Sequence, residues 1–362
     1  MSQIQYHLAQ PESSADQYLP FQGVDFLLST PGRKLLANSI RIEGRIVART
    51  ETTNPWRPTA AGAASSAVTF NSNIKIDNVV GAHSFFDSFT VETQTKGVLE
   101  NLQNYPRDVS QHGRATYAPD DMLSSKLLAE ARGPLEVNGN YVLKPMLCLN
   151  RSAGGDYSFD RGGFVRISTI LASNVHALFG GVDTANYVLT DVVCRYVTIP
   201  DDGTDEPMLM RSYVNVVSSM QSTATTISAR VPSQQVSSLS MSFAKQTNVQ
   251  SAEFNSLALE SLPEWDSVEY LFANSLQNFI TYRIVDEGDA LERGLDSMES
   301  AGHSQVNAKT LKANKGTIMG LNFKEYVDLS KQAFTINIKI LDSTISQNAR
   351  TVFMYFNSLI QL

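Results

Sequence analysis

Short stretches of alternating apolar and polar residues dominate the chain, and the clearest of them lies near its end. From Phe334 to Ile340 every second residue is apolar, which predicts a strand buried on one face. The polar run 342–350 then predicts a turn, and the apolar stretch 351–360 (TVFMYFNSLI) predicts a second strand. These two strands and their connection indicate the closure of a β domain.

The same plan occurs near the middle of the chain. Residues 164–171 predict a strand, 172–186 an insert, and 187–199 a second long strand. Two such closures, about half the chain apart, indicate that one β architecture is used twice. A length of 362 residues allows two domains with a core each. We therefore expect a first sandwich at 39–203 and a second at 204–362.

The first 38 residues predict an N-terminal arm outside both sandwiches. Pro11 and Pro20 exclude a long helix, and only 25–28 predicts a short strand. The arm carries large apolar residues without a repeating pattern, so they must be buried on the rest of the chain, on a neighbouring subunit or at a membrane. Because the arm has only two basic residues, we favour a protein contact over binding to anionic lipid.

The rest of the chain predicts many short strands and few helices. No regular alternation of strands with helices occurs, so antiparallel sandwiches are favoured over a parallel sheet. Helices are predicted at 96–105, 122–131 and 287–300, with a helical turn at 175–179. Strands are predicted at 39–49, 67–76, 85–93, 141–149, 164–171, 187–199, 208–219, 225–231, 237–244, 268–272, 279–285, 317–323, 334–340 and 351–360.

Composition narrows the choice of function. The formal net charge of -7 argues against a surface that neutralises nucleic-acid phosphates, so we expect no direct, sequence-specific binding of nucleic acid. Cys148 and Cys194 lie in strand-like runs and are predicted to be reduced core thiols, with a disulfide as the alternative. The sequence has no signal-peptide pattern and no run of about 18 apolar residues, so we expect a soluble protein made in a cytoplasm.

Enzyme chemistry has no motif to support it. The sequence contains no Walker-type phosphate loop, no GxGxxG and no HExxH. The five histidines are widely spaced, and we predict isolated loop or surface residues rather than a metal site. They are His7, His83, His112, His176 and His303. We predict no catalytic residue, no cofactor-binding residue and no metal ligand, and hence no enzyme.

Two acidic groups could bind a cation, because calcium prefers several carboxylate oxygens. The larger group lacks the spacing of a known calcium loop, the smaller one has only two carboxylates, which enclose an ion poorly, and we favour turns at both places. For the larger group this turn is a solvated connection between the domains. The larger group comprises Asp201, Asp202, Asp205 and Glu206, and the smaller one Asp156 and Asp160.

One aromatic residue and four lysines remain as candidates for binding. Trp56, in the sequence NPWRP, is either an exposed residue for sugar stacking or subunit contact, or a buried loop anchor. The lysines are scattered over predicted loops, where solvation is the favoured explanation. They are Lys96, Lys309, Lys312 and Lys315.

Three stretches resemble the double jelly-roll major capsid proteins of the tectivirus and adenovirus lineage. KQAFTINIKI, the turn SQNAR at 346–350 and TVFMYF are similar to the last two strands of such a protein. FGGVDTANYVLTDVVCRYVTIPDDG at 179–203 is similar to the closure of a first jelly roll, and EYLFANSLQNFITYRIVD at 269–286 to strands inside a second. In the arrangement of its predicted strands, the resemblance covers residues 39–362.

The resemblance implies an all-β fold of two consecutive eight-stranded antiparallel jelly-roll sandwiches, with short helices in the loops. It also implies a structural function, in which homotrimers form pseudo-hexagonal blocks of an icosahedral virion shell. The implied partners are neighbouring trimers, vertex and minor capsid proteins, and an internal lipid membrane in many members. The alternative is a carbohydrate- or receptor-binding β-sandwich protein, since jelly rolls also occur in lectins.

Overall fold

The computed structural model of the chain consists mainly of antiparallel β-sheets. All strand pairings among the described residues are antiparallel. The structure describes residues 3–13, 15–50, 75–77, 79–116, 139–180, 185–204, 207–233, 235–249, 251–260, 262, 264–273, 279–301, 318–331 and 333–362.

The first half of the chain contains twelve strands and three α-helices among its described residues. The strands are β1 (Gln5–Ala9), β2 (Gln17–Tyr18), β3 (Gly23–Leu28), β4 (Arg33–Leu35), β5 (Arg41–Thr50), β6 (Phe86–Thr93), β7 (Gly97–Leu102), β8 (Gly139–Leu143), β9 (Ser152–Gly154), β10 (Tyr157–Ser158), β11 (Val165–Leu171) and β12 (Ala185–Pro200). The α-helices are α1 (Tyr105–Thr116), α2 (Phe159–Gly162) and α3 (Asn174–Ala177), and 3-10 helices lie at Gly81–Phe85 and Cys148–Asn150.

The second half contains eight strands and one α-helix among its described residues. The strands are β13 (Leu209–Met220), β14 (Ala224–Ala229), β15 (Val236–Lys245), β16 (Trp265–Ala273), β17 (Phe279–Ile284), β18 (Met319–Val327), β19 (Phe334–Ile340) and β20 (Arg350–Gln361). The helix is α4 (Glu287–Ser300), and a 3-10 helix lies at Ser343–Ser346.

The eight strands of the second half follow the strand order of a jelly roll. One sheet has the order β18-β15-β20-β13, extended by β9, and the other has the order β14-β19-β16-β17. Counted within this half, the first sheet contains the sixth, third, eighth and first strands. The second sheet contains the second, seventh, fourth and fifth strands. Such an order arises when a long antiparallel hairpin is rolled into a sandwich.

The first half repeats this order. One of its sheets runs β3-β11-β6-β7, and in the other β12 lies next to β5, which lies next to β8. Leu189, Cys194 and Thr198 of β12 each pair with a residue on both sides of the strand. Strands β1 and β2 therefore lie on one side of β12, and β5 and β4 lie on the other. With β1 and β2 counted as one interrupted strand, the two halves have the same topology. The all-β double jelly-roll prediction is confirmed.

The prediction of an arm at 1–38 was wrong. β1 and β2 pair with β12, and β3 pairs along its whole length with β11. Val24, Phe26 and Leu28 of β3 are fully buried in the core of the first half. The first strands of the first jelly roll therefore lie within 1–38, and the chain itself buries three of the four large apolar residues of β3, while Leu27 is exposed.

Other elements differ more locally from the sequence prediction. Residues 97–102, predicted as part of a helix, form strand β7, and helix α1 begins only at Tyr105. Gly97 has φ of 70°, which suits the tight turn that joins β7 to β6 as a hairpin. The strand predicted at 141–149 ends at Leu143. The helix predicted at 122–131 lies outside the described residues, as does most of the strand at 67–76.

Each sandwich has a core built from both of its sheets, and strand β20 contributes to both cores. Val352, Met354 and Phe356 point into the core of the second half. Phe353 and Tyr355, on the opposite face of the same strand, belong to the core of the first half. Because side chains alternate along a strand, β20 is buried on both faces and joins the two cores. The two halves are therefore packed together through an apolar contact.

Cys148 and Cys194 are buried and free, as predicted for core thiols. Burial raises the pKa of both thiols, to about 12 for Cys194, so the thiolate form is disfavoured. In the described part of the chain, no helix has the length and apolar character needed to cross a bilayer.

Candidate functional site: the junction between the sandwiches

Helix α1 lies between the two sandwiches, and its polar residues are buried. Asp108, Ser110, Gln111 and His112 are each 0% exposed. The helix follows β7 at the edge of the first sandwich and faces strands β13, β15 and β20 of the second. A buried polar helix is stable only if its side chains find partners on both sides. The contacts of α1 therefore define how the two sandwiches are joined.

An ion pair between Glu100 of β7 and Arg151 lies beside this helix. Arg151 Nη2 donates to Glu100 Oε1 at 2.5 Å, and the two side chains are 10% and 0% exposed, respectively. The second carboxylate oxygen accepts from the backbone N–H of Cys148 at 2.7 Å. The guanidinium of Arg151 stacks on the ring of Tyr213 in the second sandwich, 4.1 Å from the ring centroid. Arg151 therefore links a carboxylate of one sandwich to an aromatic ring of the other.

Asp108 and His112, one helical turn apart on α1, extend this network. His112 Nδ1 lies 2.5 Å from Asp108 Oδ1, and Arg151 Nη1 lies 3.7 Å from Asp108 Oδ2. The imidazole stacks on Tyr213 with centroids 4.5 Å apart, and the ring of Tyr355 meets it edge-on at 5.8 Å. Two strands of the second sandwich thus hold a histidine from the first.

Burial sets the electrostatics of the junction. It raises the pKa of Glu100, while the neighbouring Arg151 acts in the opposite direction. It lowers the pKa of Arg151, but Glu100, Tyr213 and Asp108 together outweigh this and the pKa is raised overall. The pKa values of Tyr213 and Tyr355 are also raised by burial. A charge at this place is tolerated only together with its partner.

A segment of the second half, residues 251–260, crosses onto the first half, and we call it the strap. Arg107 of α1 donates to the carbonyl oxygens of Ser256 and, at 2.8 Å, Ala258. Ser110 Oγ donates to the carbonyl of Leu257 at 2.6 Å, and the side chain of Leu257 belongs to the first core. The strap thus fixes the second sandwich to α1.

The strap is also held through the side chain of Asn255. Asn255 Nδ2 donates to Asp77 Oδ2 at 2.6 Å. The other oxygen of Asp77 accepts from the backbone N–H groups of Val79 and Val80 at 2.8 and 3.0 Å. Asp77 is 2% exposed. A buried carboxylate thus joins the strap to the segment before β6.

The acidic residues that could have bound a cation hold the end of β12 and the N-terminal segment instead. Lys34 contacts both Asp201, at 3.7 Å, and Asp202. The hydroxyl of Ser158 donates to Asp201, which lowers the pKa of that carboxyl. Asp202 is 63% exposed, in keeping with a solvated turn. Asp205 and Glu206 lie outside the described residues.

The smaller acidic pair has a similar structural role. Asp156 accepts from the backbone N–H of Ala37 and Asp160 from that of Gly32, each at 2.7 Å. A cleft of about 480 Å³ lies beside them, lined by Lys34, Lys96 and Arg161 among others. Arg161 donates to the carbonyls of Gly203 and Thr204, so much of its donor capacity is used within the chain.

The remaining candidates have separate positions. The prediction of loop or surface histidines was wrong for His83 and His112, which are 1% and 0% exposed. His83 contacts the hydroxyl of Tyr105 at 2.6 Å. Within the described ranges, no group of three or more metal-ligating side chains is present. Lys96 is exposed, and the candidates outside the described residues are Trp56, His303, Lys309, Lys312 and Lys315.

Sequence reasoning missed the junction. Asp108 and His112 are four residues apart, a spacing that places them on one face of a helix. That signal was lost because the helix was predicted several residues too early. Glu100 and Arg151 have no local pattern, and their pairing follows only from the fold.

Comparisons with known proteins agree with this architecture. No family model and no curated protein matches the chain in sequence. The Faustovirus major capsid protein aligns with 100% of this chain and 90% of its own, at a TM-score of 0.62 and 9% identity. The PBCV-1 virus capsid structure covers 100% of this chain and 94% of its own, at a TM-score of 0.61 and 8% identity.

The mavirus major capsid protein is a third example. It aligns with 98% of this chain and 86% of its own, at a TM-score of 0.52 and 9% identity. At such low identity the likeness concerns the fold, and it extends over both sandwiches. The chain therefore has the double jelly-roll fold of viral major capsid proteins.

Proposed function

We propose that this chain is a major capsid protein, and that its homotrimers tile the icosahedral shell of a virion. The observation that carries the proposal is the whole-length match of both sandwiches to viral major capsid proteins. Two like sandwiches in each of three chains give six similar blocks, which is the basis of a pseudo-hexagonal outline. The proposed role is structural rather than enzymatic.

The junction supports this role physically. A shell subunit has to keep a constant angle between its two sandwiches, because that angle determines where its neighbours bind. The buried carboxylate of Glu100 holds Arg151 in place, and the stacking of Arg151 on Tyr213 of the second sandwich favours one arrangement of the two sandwiches over others. The strap adds hydrogen bonds between the halves at Arg107 and Ser110. The two sandwiches thus form a stiff building block.

The remaining parts of the proposal concern domains and partners. We place the division between the sandwiches at residues 203–204, in the connection between Pro200 at the end of β12 and Leu209 at the start of β13. The strands within 1–38 belong to the first sandwich. The proposed partners are neighbouring trimers, vertex and minor capsid proteins, and an internal membrane. The proposed location is the virion, after synthesis in the host cytoplasm.

The purified protein is expected to be a homotrimer. Light scattering should give a mass three times the 39.8 kDa of one chain. The trimer should persist on dilution to micromolar concentration, because stable subunit interfaces bury large areas. A stable monomer at that concentration would count against the proposal. A monomer that also binds a glycan array would favour a carbohydrate-binding sandwich instead.

A further inference from the structure

A small cavity of about 30 Å³ lies on the seam between the strap and the first sandwich. Three of its lining residues can titrate or carry a charge: Asp87 of β6, Arg107 of α1 and His176 of α3. The strap contributes Ser256 and Leu257 to the wall, neither of which is charged. The seam therefore brings one histidine next to one permanent cation and one carboxyl group.

His176 is in direct contact with the segments that the seam holds together. Its carbonyl oxygen accepts from Ser256 Oγ at 3.3 Å. Val249, just before the strap, lines the same cavity. Arg107, which also lines the cavity, donates to two carbonyls of the strap. A new charge on the imidazole would thus arise where the strap is attached.

We propose that the strap contact is acid-sensitive, because protonation of His176 places a second positive charge near Arg107 at the seam and weakens the attachment of the strap. Asp87 faces the same cavity from β6 and offsets part of this repulsion. Phe353 of β20 also lines the cavity. The guanidinium of Arg107 lies over its ring, 4.7 Å from the ring centroid. Acidification would thus loosen the joint between the two sandwiches.

The pKa values give the direction and the pH range. Burial lowers the pKa of His176 below 6.5 and Arg107 adds to this, while Asp87 and the backbone of Val249 oppose it. A group with a lowered pKa in the folded state contributes stability above pH 6.5 that is lost as the pH falls through the folded value. Burial raises the pKa of Asp87, so its protonation acts in the opposite sense at lower pH. The strap should therefore loosen in mildly acidic solution.

Hydrogen–deuterium exchange of the full-length protein tests this proposal. Protection of strap peptides is compared at about pH 7.5 and about pH 5.5, with correction for the intrinsic exchange rate. We expect protection of residues 251–260 to fall at the lower pH by up to about tenfold in total, because about pH 5.5 lies one unit below the ordinary histidine pKa of 6.5. Protection in strands β19 and β20 should stay constant. Unchanged protection of the strap would overturn the proposal.

Variants identify the responsible group. His176→Gln should abolish the pH dependence, and the matched control His7→Gln, in strand β1, should retain it. Asp87→Asn should enlarge the loss at about pH 5.5, because it removes the compensating charge while keeping His176. The proposal fails if His176→Gln retains the full pH dependence or if Asp87→Asn reduces it.

Discussion

Replacing Arg151 by leucine is expected to lower the free energy of unfolding by about 3–5 kcal/mol. The substitution leaves the carboxylate of Glu100, which is 0% exposed on its side chain, without its cation. It also removes one of the two groups that stack on Tyr213, and the positive charge near Asp108. Urea titration of the purified protein measures the change, with the slope checked for two-state behaviour.

A control and a double variant make this test specific. Arg195 also pairs with a glutamate, Glu43, at 2.6 Å, but its side chain is 53% exposed. Arg195→Leu should therefore have a much smaller effect, since exposed pairs contribute little. Combining Arg151→Leu with Glu100→Leu should recover part of the loss, because the carboxylate of Glu100 is then no longer buried without its cation. Equal effects of Arg151→Leu and Arg195→Leu would contradict the description of the junction.

Replacing Ile338 by alanine is expected to cost about 2–5 kcal/mol through lost burial and a residual cavity. Ile338 is 1% exposed and lies in the second core, in the middle strand pair of its sheet, between β14 and β16. Thermal or denaturant unfolding of the variant measures the loss. Ile338 lies in the core of the second half, whereas Arg151 contacts Glu100, Asp108 and Tyr213 at the junction. Because the two residues share none of these contacts, the effect of Ile338→Ala should add to that of Arg151→Leu.

The neighbouring residue provides the control for Ile338. The side chain of Lys339 is 63% exposed, on the outer face of the same strand, and contacts Asp266 at 3.0 Å. Lys339→Ala should change the stability little, because surface pairs of this kind are weak. If both substitutions gave equally small changes, β19 would not be the buried strand described here.

The strands of the second sandwich were the part of the fold best predicted from sequence. Strand β19 was predicted to the residue, and α4 was also predicted at its full length. Both elements bury one face and expose the other, so their periodicity is visible in the sequence. The repeated closure of the two halves was also visible, because β12 and β20 are long strands at corresponding places.

The first strands of the first jelly roll were missed for a physical reason. Strands β1 and β2 are short, and their partner β12 lies far along the chain. In β1, Tyr6 is 84% exposed while its neighbour His7 faces Thr198, so an apolar residue points outward and a polar one inward. Such an arrangement reverses the usual pattern of a half-buried strand. Strand β1 is recognised only from its pairing with β12 in the sheet.

The junction could not be predicted from sequence either. A glutamate, an aspartate, an arginine and a histidine normally indicate solvent-exposed positions. Here they are buried because the second sandwich covers them with Tyr213 and Tyr355, residues distant in the sequence. The two tyrosines reach them only after both sandwiches have formed.

Negative-stain electron microscopy of the purified protein tests the central claim most directly. We expect particles built from three chains, with a pseudo-hexagonal outline made by six similar sandwiches. Class averages should show six blocks around one threefold axis. Single two-lobed particles without threefold symmetry, at concentrations where the protein is fully folded, would contradict the proposed capsid function.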